Sequence, residues 1–210
     1  MTRTVLVGAG GHAAALIETI RAAGLLELAG CLDHSARAPV LGVPVLGGED
    51  RLDTLRAEGI EAVVVAIGDN AARLRWLERA AALGFGRPAV AHPSAVLSPS
   101  AVLGPGSVVL PRVVLGARTR VGEGVILNTG CIVEHDAAVG RGAHIACAAV
   151  LGGGAQVGEA ALVGLGAVLR PLVRVGRWAV VAAGAAVVSE VPDGAVAAGV
   201  PARVRPAGIA

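Results

Sequence analysis

The residues best suited to chemistry lie together in the second half of the chain. The segment 128–136 reads Asn-Thr-Gly-Cys-Ile-Val-Glu-His-Asp, and it interrupts a stretch that is otherwise mostly Ala, Val, Gly and Arg. Histidine is the side chain best matched to proton transfer near neutral pH, and an adjacent carboxylate can fix its tautomer and raise its basicity. His135 and Asp136 are therefore candidates for a general base and its supporting acid. The alternative is a solvated turn.

A six-residue repeat surrounds this segment and predicts the element that positions it. Every sixth residue from Leu97 to Val187 is aliphatic, without an insertion; a small or β-branched residue stands two positions before each, and glycine often follows. Hexapeptide repeats are the signature of a parallel β-helix, and three hexads close one coil of a triangular prism. We expect a little over five coils, with glycine at corners where the missing Cβ relieves backbone strain.

The position of a second histidine, His144, indicates how many subunits such a site needs. His144 follows His135 by half of an eighteen-residue coil, which puts the two side chains on different sides of the prism. A site that used both would need one of them from an adjoining subunit, and a three-sided prism suits a trimer. The alternative for His144 is a packing or surface role. The two histidines lie too far apart for one metal ion, and no third ligand has a useful spacing, so we expect no metal.

The start of the chain predicts another site, at the N-terminus of a helix. Residues 4–7 read as a strand, and Gly8, Gly10 and Ala13 satisfy the pattern G-x-G-x-x-A before a helix. Backbone N–H groups of such a loop can receive a phosphate. His12 would face whatever the loop binds, unless it is simply solvated. The alternative for the glycines is that they only permit a tight turn.

Polar residues also follow the next apolar strands. Asp33 lies about twenty residues after the glycines, where a carboxylate could meet a ribose hydroxyl. Gly68, Asp69 and Asn70 follow a continuous apolar strand, at the carboxyl end where open α/β sheets bind ligands. Asp69 or Asn70 can equally cap the next helix.

These patterns divide the chain into two domains. Over residues 1–92, alternating strands and helices (13–23, 49–57 and 71–83) predict a small Rossmann-like parallel sheet covered on both faces. Residues 93–210 are expected to form the β-helix and a C-terminal tail. The predicted fold class is α/β plus β-solenoid. Fewer than ninety residues hold only half of a dinucleotide fold, so a nucleoside diphosphate attached to a substrate fits the first domain better.

Composition excludes several other classes of protein. The 210 residues are 54% apolar and include 31 glycines, but only two tryptophans and one phenylalanine are aromatic. This aliphatic content excludes a disordered chain, and glycine does not recur at every third position as in collagen. No apolar stretch reaches the about 20 residues of a transmembrane span, so we expect no membrane insertion. The net charge of +2 is scattered, which argues against nucleic acid as a partner.

The cysteines and the N-terminus indicate the compartment. Cys31, Cys131 and Cys147 are odd in number and lack metal spacing, so reduced thiols in the cytoplasm are the simplest interpretation. The apolar run at the start of the chain is too short for a signal peptide. We therefore expect a cytoplasmic protein.

The whole chain resembles the hexapeptide-repeat acetyltransferases of nucleotide-linked amino sugars, which are grouped with the sialic acid O-acetyltransferases. The motifs are Gly8-Ala9-Gly10-Gly11-His12, Leu32-Asp33, Ala66-Ile67-Gly68-Asp69-Asn70, His92-Pro93-Ser94-Ala95, Asn128-Thr129, Glu134-His135-Asp136, His144-Ile145-Ala146 and Gly199-Val200-Pro201-Ala202-Arg203. The resemblance implies a left-handed β-helix after the Rossmann-like domain, and assembly as a homotrimer. Cys147 stands where many relatives have proline, and His34 where some have a second acid, which could alter how the nucleotide is held.

The resemblance also implies a mechanism. His135 would take a proton from a sugar amine or hydroxyl as that group attacks the thioester of acetyl-CoA, and Asp136 would increase its basicity. Backbone N–H groups near Gly153 could stabilise the tetrahedral oxyanion. Acetyl-CoA is then a co-substrate, with no permanently bound cofactor. The implied acetyl-CoA contacts are His144, Gly153, Leu165 and Ala183, and the implied nucleotide-sugar contacts are Gly10, Gly11, His12, Asp33, Gly68 and Asn128.

The leading hypothesis is an enzyme that acetylates the amine of a UDP-linked or GDP-linked amino-deoxy sugar for surface glycan biosynthesis. The first alternative is an O-acetyltransferase acting on sialic acid or a related sugar. A metal-dependent hydratase of the β-helix type and a non-catalytic nucleotide-sugar-binding protein are alternatives from other classes.

Overall fold

A computed structural model describes residues 1–36 and 38–205 of the chain. The N-terminal part is a parallel sheet of four strands in the order β3-β2-β1-β4. Its elements are β1 Thr2–Val7, α1 Gly11–Ala23, β2 Leu26–Leu32, β3 Val45–Gly47, a 3-10 turn Glu49–Arg51, α2 Leu52–Leu55, β4 Ala62–Val65 and α3 Asn70–Ala82. Strand β4 is wholly apolar and buried, and the last four residues of β1 are buried beside it, because helices cover the sheet.

From Val90 to Gly199 the chain forms a parallel β-helix, as the hexapeptide repeat predicted, and the last strand, Ala202–Arg205, pairs antiparallel with its end. The strands are β5 Val90–Ala91, β6 Val96–Leu97, β7 Val102–Leu103, β8 Val108–Val109, β9 Val114–Leu115, β10 Arg120–Val121, β11 Ile126–Leu127, β12 Ile132–Val133, β13 Ala138–Val139, β14 His144–Ile145, β15 Val150–Leu151, β16 Gln156–Val157, β17 Leu162–Val163, β18 Val168–Leu169, β19 Arg174–Val175, β20 Val180–Val181, β21 Ala186–Val187, β22 Val196–Gly199 and β23 Ala202–Arg205.

These strands form the three faces of a prism, an eight-stranded sheet (β23-β22-β20-β17-β14-β11-β8-β5), a six-stranded sheet (β21-β18-β15-β12-β9-β6) and a five-stranded sheet (β19-β16-β13-β10-β7). His144 pairs with Ile126 on one side and with Leu162 on the other, so one coil is eighteen residues. The fold is the predicted left-handed β-helix behind a small α/β domain. The tail predicted after the helix includes residues 206–210, which lie outside the described residues.

The interior of the prism is a stack of identical slots. The second residue of each rung strand points inward, as Val133, Val139 and Ile145 do, and is buried together with the small residue two positions earlier, such as Cys131 or Ala137. Aromatic side chains do not fit a slot of this size when the next coil is about 4.8 Å away. The shortage of aromatic residues is therefore a packing requirement.

The structure corrects the reason for glycine at the corners. At Gly116 an added Cβ would lie 2.5 Å from the backbone nitrogen of His135 in the next coil. Glycine is needed there because two backbones approach closely. Its own φ is not the reason, since the positive φ falls two residues later, as at Arg118 (φ 60). The strained left-handed conformation therefore falls on the third corner position, which often carries a side chain.

The two domains share packing. Helix α1 lies against the start of the eight-stranded sheet, so that Leu16 and Ile17 belong to one core with Val108 and Ile126. Helix α3 follows the corner between the five-stranded and eight-stranded sheets. At Gly124 an added Cβ would lie 2.3 Å from the Leu77 side chain, so the glycine lets the helix approach.

Candidate active site

His135 and Asp136 lie on the corner between β12 and β13, where the six-stranded and five-stranded sheets meet. Asp136 has a positive φ of 61°, which breaks the alternation of an ideal strand and lets both side chains project from one corner. His135 Nδ1 lies 2.8 Å from Asp136 Oδ2. The imidazole is 60% exposed, so its other ring nitrogen is accessible to a substrate.

Arg118 fixes the carboxylate that holds this histidine. It lies one coil below, and its Nε and Nη2 donate to the two oxygens of Asp136 at 2.6 and 2.8 Å. The Arg118 hydrogen bonds, followed by the His135 contact, hold the pKa of Asp136 well below its usual range. An ionised carboxylate only accepts hydrogen bonds, so Nδ1 of His135 donates and Nε2 carries the lone pair. The sequence reasoning missed Arg118, although its spacing of eighteen residues from Asp136 was a usable signal.

Gly153 stands one coil above His135 and makes room for its ring. A Cβ at Gly153 would lie 2.7 Å from Nε2 and 2.8 Å from Cε1 of the imidazole. The Gly154 N–H donates to the His135 carbonyl at 2.8 Å, whereas the Gly153 N–H has no acceptor within the described parts of the chain. An unused backbone donor therefore lies next to the basic nitrogen.

A groove lies on the neighbouring five-stranded sheet. It has a volume of about 560 Å³ and runs along the outer face of the five-stranded sheet, where Arg120, Ala138, Gln156 and Arg174 form part of its lining. Neither His135 nor Asp136 lines this groove, and its lining continues to the corner at the other end of these strands, with Gly122, Gly140, Gly158 and Gly176.

His144 lies on a different face, as its spacing predicted, and belongs to another cluster. Its Nε2 is 3.2 Å from Asn128 Nδ2, one coil below on the eight-stranded sheet. Burial, followed by the charge of Arg73 and the neighbouring His12, lowers the pKa of His144 to about 4. His144 is therefore neutral near pH 7 and can accept a hydrogen bond from the amide.

His12 completes this second cluster. Burial and then Arg73 lower its pKa, and its Nε2 is buried without a hydrogen-bond partner in the described residues. The structure thus brings His12, Asn128 and His144 together at the junction between the α/β domain and the eight-stranded sheet. We call these three residues the cleft cluster. Their proximity depends on how the two domains dock, which the sequence pattern did not reveal.

The predicted nucleotide site lies at the carboxyl edge of the α/β sheet. Gly10 caps α1, and an added Cβ at Gly10 or Gly11 would meet nothing within 4 Å, so the loop is open to a ligand. The Ala9 N–H donates to Asp33 Oδ2 at 3.0 Å, while Oδ1 accepts from residues 35 and 36. These hydrogen bonds lower the pKa of Asp33 to about 2. Gly68 follows β4 at the same edge.

Leu165 and Ala183, the other predicted acetyl-CoA contacts, occupy equivalent corners one coil apart, between the eight-stranded and six-stranded sheets. Both are exposed, Leu165 to 60%. They lie on a different edge of the prism from His135. A single chain therefore does not bring all the predicted acetyl-CoA contacts to one place.

Residues 1–36 and 38–205 contain neither a candidate metal cluster nor a helix that could span a membrane. No group of three or more His, Cys, Asp or Glu side chains that could hold a metal ion was found there. The helices of that part of the chain are all too short or too polar to cross a membrane.

Comparison with known proteins gives matches over the whole chain. Residues 3–80 match the family described as the PglD N-terminal domain. A mutant of GDP-perosamine N-acetyltransferase from Caulobacter crescentus, solved with CoA and GDP-perosamine, is 40% identical, covers 98% of this chain and 97% of its own, and superposes with a TM-score of 0.95. The acetyltransferase domain of PglB from Neisseria gonorrhoeae, in complex with acetyl coenzyme A, is 39% identical over 96% of this chain and 98% of its own, with a TM-score of 0.92. No curated protein matches the chain.

The fold and the His135 corner together define a β-helical acyltransferase with an N-terminal α/β domain. This architecture agrees over nearly its full length with enzymes that use CoA. The chain belongs to the hexapeptide-repeat acetyltransferases of nucleotide-linked amino sugars, as its motifs predicted, and it is an acetyl-CoA-dependent sugar N-acetyltransferase.

Proposed function

We propose that this enzyme transfers the acetyl group of acetyl-CoA to the amine of a UDP-linked or GDP-linked amino-deoxy sugar, with His135 as general base. The observation that carries the proposal is the ordered chain Arg118–Asp136–His135, which leaves a lone pair on Nε2. His135 removes a proton as the amine nitrogen attacks the thioester carbonyl. The C–S bond then breaks, and the imidazolium returns the proton to the leaving thiolate.

The negative charge that develops on the carbonyl oxygen needs a donor near His135. The N–H of Gly153 supports this assignment because it lies one coil above the histidine and has no acceptor within the described residues. Backbone donors are held rigidly by the coil, so they need no reorganisation during the reaction. Direct attack needs no acyl-enzyme, and Cys131, whose pKa burial raises to about 12, is unsuited to act as a nucleophile.

The α/β domain, residues 1–92, is proposed to hold the nucleotide part of the acceptor. Gly10 and Gly11 would receive the diphosphate at the start of α1, and Asp33 the ribose, with Gly68 on the same edge. Asp33 Oδ2 accepts one hydrogen bond from the protein, so it retains capacity for a sugar hydroxyl. The relative from Caulobacter crescentus was solved with GDP-perosamine, which supports a nucleoside diphosphate sugar here.

Residues 93–210 are proposed to carry the transfer site, completed in a homotrimer. The outward side chains of the six-stranded sheet are all aliphatic (Val96, Val114, Ile132, Val150, Val168 and Ala186). On the five-stranded sheet the corresponding positions include Arg120, Gln156 and Arg174. A column of exposed and half-buried aliphatic side chains on one face of a prism supports packing against two further copies.

In such a trimer the His135 corner of one subunit would face the cleft cluster of the next. His12, Asn128 and His144 would then lie beside the acceptor sugar and the acyl group, and Leu165 and Ala183 would contact the rest of acetyl-CoA. The separation of these residues in one chain supports a shared site. Free Cys31, Cys131 and Cys147 are compatible with a reducing cytoplasm, where the product would feed surface glycan biosynthesis.

The proposal is tested by a thiol-release assay with acetyl-CoA and a panel of GDP-linked and UDP-linked amino sugars, with free sialic acid as the O-acetylation arm. We expect turnover with a nucleotide amino sugar, and a loss of several orders of magnitude in His135→Ala. The matched control is His92→Ala, because Nδ1 of this loop histidine bonds only Ser94 within the described residues. Near-normal turnover in His135→Ala would exclude the mechanism, and turnover of sialic acid alone would exclude the acceptor.

A further inference from the structure

Arg73, on α3, is a charged residue that the mechanism does not use, and it is only 1% exposed. Its Nε donates to the Gly124 carbonyl at 2.7 Å, and its Nη2 donates to the Gly142 carbonyl at 2.7 Å. Gly124 and Gly142 are equivalent corner positions in consecutive coils. One guanidinium therefore bridges two rungs of the β-helix.

The same guanidinium also holds the ligand-binding edge of the α/β sheet. Nη1 donates to the carbonyls of Ile67 and Gly68 at 3.1 and 3.0 Å, directly after β4. Nη2 donates to Asn70 Oδ1 at 2.7 Å, and Asn70 Nδ2 donates to the Ala160 carbonyl of the third coil at 2.9 Å. The planar fork of arginine is thus used fully, and lysine could not reproduce this geometry.

The charge of Arg73 is buried beside neutral acceptors. Burial lowers its pKa to about 10, with the nearby Asp69 opposing that effect, so it remains a cation near pH 7. This cation lowers the pKa of both His12 and His144, the two ionisable members of the cleft cluster. Arg73 on α3 faces the cluster, to which α1 contributes His12 and the eight-stranded sheet contributes His144 and neutral Asn128.

We propose that Arg73 is a positioning residue for acetyl transfer. It holds the nucleotide-binding edge of the α/β sheet at one fixed position along the axis of the β-helix. It also places a permanent positive charge beside the cleft cluster. The first role sets how far a bound nucleotide sugar extends toward the transfer site. The second adds to burial, the larger cause, in disfavouring the protonated form of both imidazoles. The inference rests on the proposed function for its kinetic consequences only.

The variants separate these two roles. Arg73→Lys keeps the charge but loses the bridge between two coils and β4, and Arg73→Gln loses both. Arg75→Gln is the matched control, because Arg75 is exposed two residues further along the same helix. We expect kcat/KM for the nucleotide sugar to fall at least tenfold in both Arg73 variants, and KM for acetyl-CoA to change less than threefold. The control should match the wild type.

The effect of the Arg73 charge on the histidines is measured by NMR titration of the Cε1–H signals of the five histidines, in the absence of substrate. The His144 midpoint should rise by at least half a pH unit in Arg73→Gln, relative to the wild type, and stay in place in Arg73→Lys. An unchanged midpoint in Arg73→Gln overturns the electrostatic role. Unchanged kinetics in Arg73→Lys would overturn the role of Arg73 in fixing the nucleotide-binding edge along the β-helix. This test stands even if Arg73→Gln does not fold. Because the titration needs no turnover, it distinguishes a failure of the Arg73 proposal from a failure of the proposed reaction.

Discussion

Replacing Gly153 by alanine tests the position of the catalytic ring. The new Cβ would lie 2.7 Å from His135 Nε2, whereas ordinary van der Waals contact begins at 3.4 Å, so the ring must retreat by about 0.7 Å. A misplacement of about 1 Å can cost roughly 100-fold in rate. We therefore expect kcat to fall between about tenfold and 100-fold in Gly153→Ala.

The substitution isolates this displacement from other effects. The backbone N–H is kept, so the proposed oxyanion donor remains. Ala117 occupies the same corner position two coils below, which shows that the coil accepts alanine there. The half-exposed imidazole can rotate outward, so the melting temperature should stay close to that of the wild type.

The assay is steady-state thiol release, measured for Gly153→Ala, His135→Ala and the double variant. If the Cβ acts through the ring, the double variant should be no slower than His135→Ala alone. A kcat of Gly153→Ala within twofold of the wild type would refute the ring position. A further loss in the double variant would show that the glycine acts independently of His135.

Three further predictions concern other parts of the structure. Asp136→Asn should lower kcat by about 100-fold with little change in KM, because an amide facing Nδ1 no longer holds the proton there; an unchanged kcat in thiol release would exclude this role. The pKa of His144 is lowered to about 4 from an ordinary 6.5. Between these pH values the folded protein therefore binds fewer protons than the unfolded chain. The free energy of unfolding should then fall by roughly 3 kcal/mol as the pH drops from 6.5 to 4. Urea titrations should show this fall flattened in His144→Gln. If the proposed trimer packs through the aliphatic column, Val168→Asp should dissociate it in sedimentation velocity, whereas Gln156→Asp on the five-stranded sheet should leave it intact; an unaffected Val168→Asp protein would place the interface elsewhere.

The β-helix could be predicted from sequence because its information is local. Each hexad specifies one inward aliphatic residue, and stacking repeats the same slot, so the inward positions from Val109 to Val187 follow from spacing alone. The helices of the α/β domain carry less information. The segment 49–57 was expected to be one helix, but it forms a 3-10 turn and then only Leu52–Leu55. No repeat constrains that segment, and local propensity is a weak guide there.

The candidate site was predictable where it lies within one corner and unpredictable where it crosses domains. His135 and Asp136 are adjacent in sequence, and Arg118 was accessible through the eighteen-residue coil. The roles of Arg73 and of the His12 contact depend on how α1 and α3 dock against the β-helix. That docking is decided by side-chain packing and by hydrogen bonds to backbone carbonyls, neither of which leaves a periodic signal in the sequence.

The core shared by α1 and the first coils implies that the two functional domains are one cooperative folding unit. Val90, Val108, Leu110 and Ile126 are buried against Leu16, Ile17 and Leu6 rather than inside the prism. A β-helix excised at residue 92 would expose this apolar band, so it should aggregate rather than fold as an isolated module. A recombined enzyme that kept this transfer site but took its nucleotide specificity from elsewhere would have to inherit both sides of that band together.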